Sequence, residues 1–424
     1  MKLLIQGAKL IDPIENSARQ GDLLVEDGVI RAVGDCLQAE NALTLDANGY
    51  TLAPGLVDAH VHLRDPGQTY KEDFESGCAA AVAGGFTSIA AMPNTSPVMD
   101  QAALLAETLS RANRQGRPHV LQVAAVTKGL LGQELTDFQA LSASGAIAFS
   151  DDGRPVLTAP VMEQALRLVA ALGKPLLSHA EELSLPGIDP ASESVAVARD
   201  ICLAEQTGCP VHFCHISTAA SVRLIRDAKR AGIPVTAETA PHYFTLTREC
   251  LGTPPDPNAK MNPPLRGEAD RKAVREALAD GTIDLIATDH APHAPEEKAQ
   301  PFDKAPNGVI GLETSLALGL TELVRGGVLT LPELLCKMSA APARLLGLPC
   351  GKLSAGSPAD LVLFDEERRW TVRPEALHSR SRNTPFSGRE LCGAVLLTLV
   401  GGAVAWCSEE LKSNSPALRA LCGV

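Results

Sequence analysis

The sequence predicts an α/β fold: a (β/α)8 TIM barrel with a small composite β-sandwich domain assembled from the two chain ends. Two observations carry this expectation. From Leu56 onward one rhythm recurs eight times: an apolar strand, a polar strand end, then a helical stretch of about 10 to 18 residues. On either side of that region the pattern changes to short alternating strands separated by Gly-rich turns such as Glu26-Asp27-Gly28. With 424 residues the chain has room for one large barrel and an accessory domain.

The N-terminal strands are expected at Leu3 to Ala8, Gly21 to Glu26, Val29 to Val33 and Leu43 to Asp46. The barrel strands are recognised by their ends. The first, beginning at Leu56, ends in His60-Val61-His62. Phe86 to Met92 runs into Pro93-Asn94-Thr95, and Val120 to Val126 into Thr127-Lys128. Ala146 to Phe149 runs into Ser150-Asp151-Asp152-Gly153, and Pro175 to Leu177 into Ser178-His179-Ala180-Glu181. Pro210 to Cys214 leads to His215-Ile216-Ser217-Thr218, and Pro234 to Thr239 leads to Ala240-Pro241-His242. Ile283 to Thr288 leads to Asp289-His290-Ala291-Pro292-His293. Helical stretches at Leu312 to Val324 and Leu331 to Leu346 follow, and strands at Ala359 to Phe364 and Val395 to Trp406 return to the β module. The expected division is residues 1–53 with 347–407 for the β domain, 54–346 for the catalytic barrel, and 408–424 for a C-terminal tail.

A net charge of -12 and a pI near 5.4 argue against nucleic acid or an anionic membrane as partner, because the average surface would repel either. No uninterrupted apolar run reaches about 18 residues, so no membrane span is expected. The 11 cysteines form no C-x-x-C pair, and Met1 to Gly7 lacks a signal-type apolar core. Reduced cysteines in a cytoplasmic protein are the expectation.

The chemistry concentrates at strand ends. His60 and His62 alternate with Ala59 and Val61, so a strand would point both imidazoles to one side, about 7 Å apart. Neutral imidazole suits zinc and similar divalent ions, and a carboxylate bridges two of them. His60, His62, Asp151, His179, His215 and Asp289 end strands one, four, five, six and eight. Around one barrel mouth they would supply six ligands, enough for two metals with a position left open. A single strand-end histidine is usually just a satisfied polar residue; agreement among five strand ends is what points to a metal site. His212, three residues before His215, is expected to face the opposite way, and His119 and His378 lie away from the strand ends. His242 is placed for a hydrogen bond behind the ligands. Spacing alone leaves open whether Asp151 or Asp152 is the bridge.

Taken together, His60-Val61-His62-Leu63-Arg64-Asp65-Pro66-Gly67, Met92-Pro93-Asn94-Thr95, Phe149-Ser150-Asp151-Asp152-Gly153, Cys214-His215-Ile216-Ser217-Thr218, Lys260-Met261-Asn262-Pro263-Pro264-Leu265-Arg266 and Ala287-Thr288-Asp289-His290-Ala291-Pro292-His293 resemble the type I dihydroorotases of the amidohydrolase superfamily. The similarity runs from about residue 1 to 406. The resemblance implies reversible, zinc-dependent cyclisation of N-carbamoyl-L-aspartate to L-dihydroorotate with loss of water, the third step of de novo pyrimidine biosynthesis. One or two Zn2+ ions are implied: His60, His62 and Asp289 on one, His179 and His215 on the other, Asp151 bridging. It also makes Asp289 the catalytic proton carrier and assigns substrate contacts to His62, Arg64, Asn94, Asn262, His293, Asn307 and Gly308. A homodimer and association with aspartate transcarbamoylase are further implications.

The chain departs from that family in places. Ala180-Glu181-Glu182 stands where Cys-Glu-Asp is common, Asn307-Gly308 where Phe-Gly is usual, and the 182–193 segment is shorter by roughly a dozen residues than a usual loop there. Two rival readings are a dihydropyrimidinase, hydantoinase or allantoinase, and a non-catalytic scaffold. The first group bridges its metals with a carboxylated lysine at the end of strand four, where this chain has Ser150-Asp151-Asp152. A scaffold would be free to lose its ligands, yet all six positions are filled.

Overall fold

The computed structural model describes residues 2–114, 116 and 118–422. Its centre is a parallel sheet of β6 (Leu56–Val61), β7 (Phe86–Ala91), β8 (His119–Ala125), β9 (Ala146–Ser150), β10 (Leu176–Ser178), β11 (Val211–Phe213), β12 (Val235–Thr239) and β13 (Leu285–Ile286), each paired with the next in chain order. The ends meet: Val61 bridges His290, His62 N–H donates to His290 O at 2.8 Å, and the Asp58 carboxylate accepts the Thr288 N–H at 3.1 Å. These contacts complete the eight-stranded barrel.

Helices pack around the strands because their apolar residues recur with helical period. In Ala219–Arg230, Val222, Ile225 and Ala228 form the buried stripe, and the remaining face carries charges. Asp73, Asp137, Asp189 and Thr218 cap their helices by accepting backbone N–H bonds, which fixes where each strand-to-helix loop ends. The main apolar core lies between strands and helices, where Phe86, Phe149, Phe213 and Phe244 are fully buried.

The chain ends share one mixed sheet in the order β16-β15-β14-β5-β1-β2-β3, with β4 on β1. Its strands are β1 (Lys2–Asp12), β2 (Ser17–Glu26), β3 (Val29–Gly34), β4 (Leu43–Asp46), β5 (Thr51–Pro54), β14 (Leu361–Thr371), β15 (Glu390–Val400) and β16 (Ala403–Cys407). Only Gly55 separates β5 from β6, so the sheet is joined directly to the barrel. The stretch expected as one strand from Val395 to Trp406 is a hairpin, because Gly401 and Gly402 both take positive φ (53° and 74°) and reverse the chain. Residues 409–414 and 416–422 are helical. They place Leu411 and Leu418 in the core of the small sheet, so this segment is a packed part of the fold.

Candidate active site

The barrel strand ends gather four imidazoles around one carboxylate, and that carboxylate is Asp152. Its Oδ1 lies 3.3 Å from His60 Nε2, 3.3 Å from His179 Nδ1 and 3.2 Å from His215 Nε2; its Oδ2 lies 3.4 Å from His62 Nε2. Asp289 Oδ1 joins the ring at 3.2 Å from His62 Nε2 and 3.6 Å from His60 Nε2. The expectation that Asp151 would bridge is corrected. Asp151 Oδ1 accepts the backbone N–H groups of Val126 and Thr127 at 2.8 and 2.9 Å, and its Oδ2 accepts from the Thr127 hydroxyl. Its acceptors are spent tying the end of β9 to the end of β8.

Strand geometry stops just before these residues. Arg64, His215 and Asp289 have positive φ of 59°, 36° and 49°, conformations that cost a non-glycine residue about 1 to 3 kcal/mol each and cluster at functional sites. The turn at His215 resets the alternation that would have sent His212 and His215 to opposite faces. His212 Nε2 meets Glu238 Oε2 at 3.1 Å, Glu238 Oε1 meets His60 Nδ1 at 2.8 Å, and the His60 and His215 rings are 5.3 Å apart. Both histidines therefore turn inward.

Electrostatics separate the two adjacent carboxylates. Burial pushes the Asp151 carboxyl up to about 6, against the downward pull of its Thr127 and backbone hydrogen bonds. Burial also acts on Asp152, but the His60 charge and the hydrogen bonds from His179 and His215 outweigh it and hold that carboxyl well below the usual range. For Asp289 burial is likewise outweighed, by the His62 hydrogen bond and the charges of His60, His62 and His215, leaving it at about 2.

The donor set fits a divalent metal. His60 Nε2 is buried with no hydrogen-bond partner among the described residues, although it points at two carboxylates. The 3.2 to 3.4 Å gaps between nitrogens and Asp152 oxygens match the edge of a tetrahedron with 2.0–2.1 Å bonds, about 3.4 Å. The ring nitrogens on the far sides are engaged elsewhere: His62 Nδ1 with Asn94 Oδ1 at 2.9 Å, His179 Nε2 with Glu181 Oε2 at 3.0 Å, and His60 Nδ1 with Glu238. Each ring is thus turned to offer its other nitrogen to the centre. His60, Asp152 and His215 form one group close enough to share an ion, and His60, His62 and Asp289 another.

Beside the ring lies a cavity of about 200 Å³, lined by His62, Arg64, Asn94, Asn262, His293, Asn307 and Gly308 together with Asp152, His179, His215 and Asp289. His60 sits behind it. Arg64 Nε donates to Pro292 O at 3.1 Å and its Nη2 lies 3.3 Å from His293 Nε2. Burial lowers Arg64 to about 10, so it stays cationic at neutral pH. Burial and the charges of Arg64 and Lys71 lower His293 to about 3, so it stays neutral. Asn307 reaches His293 Nε2 through its backbone carbonyl at 2.8 Å. Gly308 has φ of 138°, and a Cβ there would come within 2.7 Å of Ala291 O, so the wall at that point requires glycine.

Two buried or half-buried carboxylates escaped sequence reasoning. Glu238 is inside β12, two residues before the polar strand end, and Glu181 follows His179 by two and also accepts from Asn262 Nδ2 at 3.2 Å. The one charged residue in a strand of valine, alanine and threonines was the available signal for Glu238. His242 is buried as expected near the site, but its Nε2 has no hydrogen-bond partner among the described residues. Burial lowers it to about 4.

Residues 51–405 match the model of the amidohydrolase family. The chain belongs to the amidohydrolase family. Within this metal-dependent family it is 48% identical to a dihydroorotase of Geobacter metallireducens over 424 residues, covering 96% of this chain and 100% of the relative. It is also 48% identical to a dihydroorotase of Pelobacter propionicus, with the same coverage. Among solved structures, an L-hydantoinase (dihydropyrimidinase) from Arthrobacter aurescens superposes with a TM-score of 0.85 at 28% identity, covering 95% of each chain. A dihydropyrimidinase from Brevibacillus agri superposes with a TM-score of 0.83 at 26% identity, again over 95% of each. No helix among the described residues is long and apolar enough to cross a membrane.

Proposed function

We propose that this chain is a dihydroorotase, interconverting N-carbamoyl-L-aspartate and L-dihydroorotate with zinc held by His60, His62, Asp152, His179, His215 and Asp289. The observation that carries the reading is Arg64 at the wall of the metal-type cavity. A dihydropyrimidine without a carboxylate would leave that buried cation unpaired, whereas dihydroorotate brings the matching anion. Near-full-length identity of 48% to dihydroorotases, against 28% to the hydantoinase fold neighbour, supports the same choice.

A bound divalent metal supplies Lewis-acid polarisation and acidifies water at this mouth. The chain's residues do the rest. Arg64 offers a planar fork to the substrate carboxylate, and Asn94, Asn262 and neutral His293 supply directed hydrogen bonds around the ring. Asp289, held ionised by the surrounding imidazoles, takes the proton of the water as it adds to the ring carbonyl, then delivers it to the nitrogen as the ring carbon–nitrogen bond breaks. In ring closure Asp289 removes the proton from the attacking ureido nitrogen. That direction consumes one proton overall, because an ionised carboxylate becomes a neutral amide.

Metal content measured alongside hydrolysis of dihydroorotate and of dihydrouracil tests the proposal. Zinc in the protein with a strong preference for dihydroorotate supports it; equal turnover of dihydrouracil, or full turnover after metal removal, overturns it.

A further inference from the structure

Behind the metal-type ring, Glu238 lies 1% exposed and has both carboxylate oxygens engaged by histidines: Oε1 by His60 Nδ1 at 2.8 Å and Oε2 by His212 Nε2 at 3.1 Å. His212 is held in turn, its Nδ1 at 2.8 Å from Thr236 Oγ1. Thr236 and Glu238 are two apart on β12, hence on one face of the strand, so a single strand anchors the whole chain of contacts. A buried carboxylate with two such partners is a fixed acceptor. As a metal ligand His60 would then keep its one proton on Nδ1 and direct the Nε2 lone pair toward Asp152 and Asp289; Nε2 is the His60 nitrogen without a hydrogen-bond partner among the described residues.

We infer that Glu238 is a positioning residue for the metal centre: it fixes the tautomer and ring angle of His60, raises the basicity of Nε2, and so sets metal affinity without touching metal or substrate. The inference rests on His60 being a ligand. His212 anchors the far oxygen of Glu238 and takes no part in His60's own bond, so the two partners of one carboxylate have separable effects.

Glu238→Gln keeps the shape and satisfies both neighbours: its carbonyl accepts from His60 Nδ1–H and its amide donates to His212. What it removes is the charge. Stripped protein titrated with zinc against a chromogenic chelator should show binding weakened by about 10- to 100-fold in this variant, the usual range for losing a carboxylate behind a ligating histidine. His212→Gln retains a donor for Glu238 Oε2 and should bind zinc as the parent does. Cobalt-loaded protein provides a spectroscopic check, with an altered visible spectrum in Glu238→Gln and the parental one in His212→Gln. Unchanged zinc affinity in Glu238→Gln overturns the inference, and so does an equal loss in both variants, which would mean general disruption of the barrel centre. Should Glu238→Gln fail to fold, nitrogen-15 histidine spectra of the zinc-loaded parent decide instead: a proton on His60 Nδ1 with metal on Nε2 is expected, and the reverse arrangement contradicts it. A His60→Ala protein with parental zinc affinity would remove His60 from the metal site, a failure of the parent reading distinct from failure at Glu238.

Discussion

Asp151 and Asp152 follow one another at the end of β9 and both are buried, yet they have different kinds of neighbour. Asp151 is satisfied locally, by two backbone N–H groups and a hydroxyl from Val126 and Thr127. Asp152 is approached by imidazoles delivered from three other strand ends, 3.2 to 3.4 Å away. Donors supplied by one adjacent loop make a strut; cationic or metal-seeking donors drawn from β6, β10 and β11 make a site. The same burial that leaves Asp151 raised to about 6 is overcome at Asp152, which is held low.

Three variants bear on that contrast, in decreasing order of effect. Asp289 shares the ring with Asp152, and Asp289→Asn separates ligation from proton transfer. Turnover should fall about 10²- to 10⁴-fold with metal retained, and the acidic limb of the parental hydrolysis profile, where protonation removes the base, should vanish. Near-parental turnover in Asp289→Asn would leave the proton transfer to another group. Because ring closure takes up one proton, lowering pH by one unit should shift the equilibrium about tenfold toward the cyclic product, measured from both directions.

Arg64→Lys leaves the Asp152 ring intact and keeps the charge while losing the fork. Its kcat/KM for dihydroorotate should drop about 10- to 100-fold, equivalent to one charge-assisted hydrogen bond. An undiminished value would place the substrate carboxylate elsewhere.

The smallest effect is on stability. Asp151 has a raised pKa, so between about pH 4 and 6 the folded protein keeps a proton that the unfolded chain releases. Its contribution is present below the unfolded value of 3.8 and is lost as pH rises through about 6, a change of about 3 kcal/mol at most. Asp151→Asn does not titrate, so denaturant midpoints of parent and variant should diverge across this window, with the parent losing stability relative to the variant. Parallel curves would count against the buried-strut description.

The barrel was readable because each of its strands is an apolar run with a polar end, a signal that tolerates errors of a residue or two. Which side chain faces the centre was less readable. β9 ends at Ser150, so Asp151 and Asp152 lie past the last residue for which alternation holds. His215, Arg64 and Asp289 leave strand geometry altogether through positive φ, which explains why His212 and His215 share an interior that their spacing placed on opposite faces. Glu238 is hidden for the converse reason: it remains within a regular strand, two residues short of the polar end where the pattern places reactive groups. The cavity wall residues Arg64, Asn94, Asn262 and His293 were legible as motif members, while the need for glycine at position 308 became visible only with Ala291 O beside it.

If Asp152, and not Asp151, completes the metal ring, substitutions at the two neighbours have opposite consequences. Zinc stoichiometry and dihydroorotate hydrolysis measured together on Asp151→Asn and Asp152→Asn test it most directly. Asp151→Asn is expected to retain metal and most of its turnover, whereas Asp152→Asn is expected to lose both metal and activity. Retention of parental zinc and turnover by Asp152→Asn, with their loss in Asp151→Asn, would contradict it.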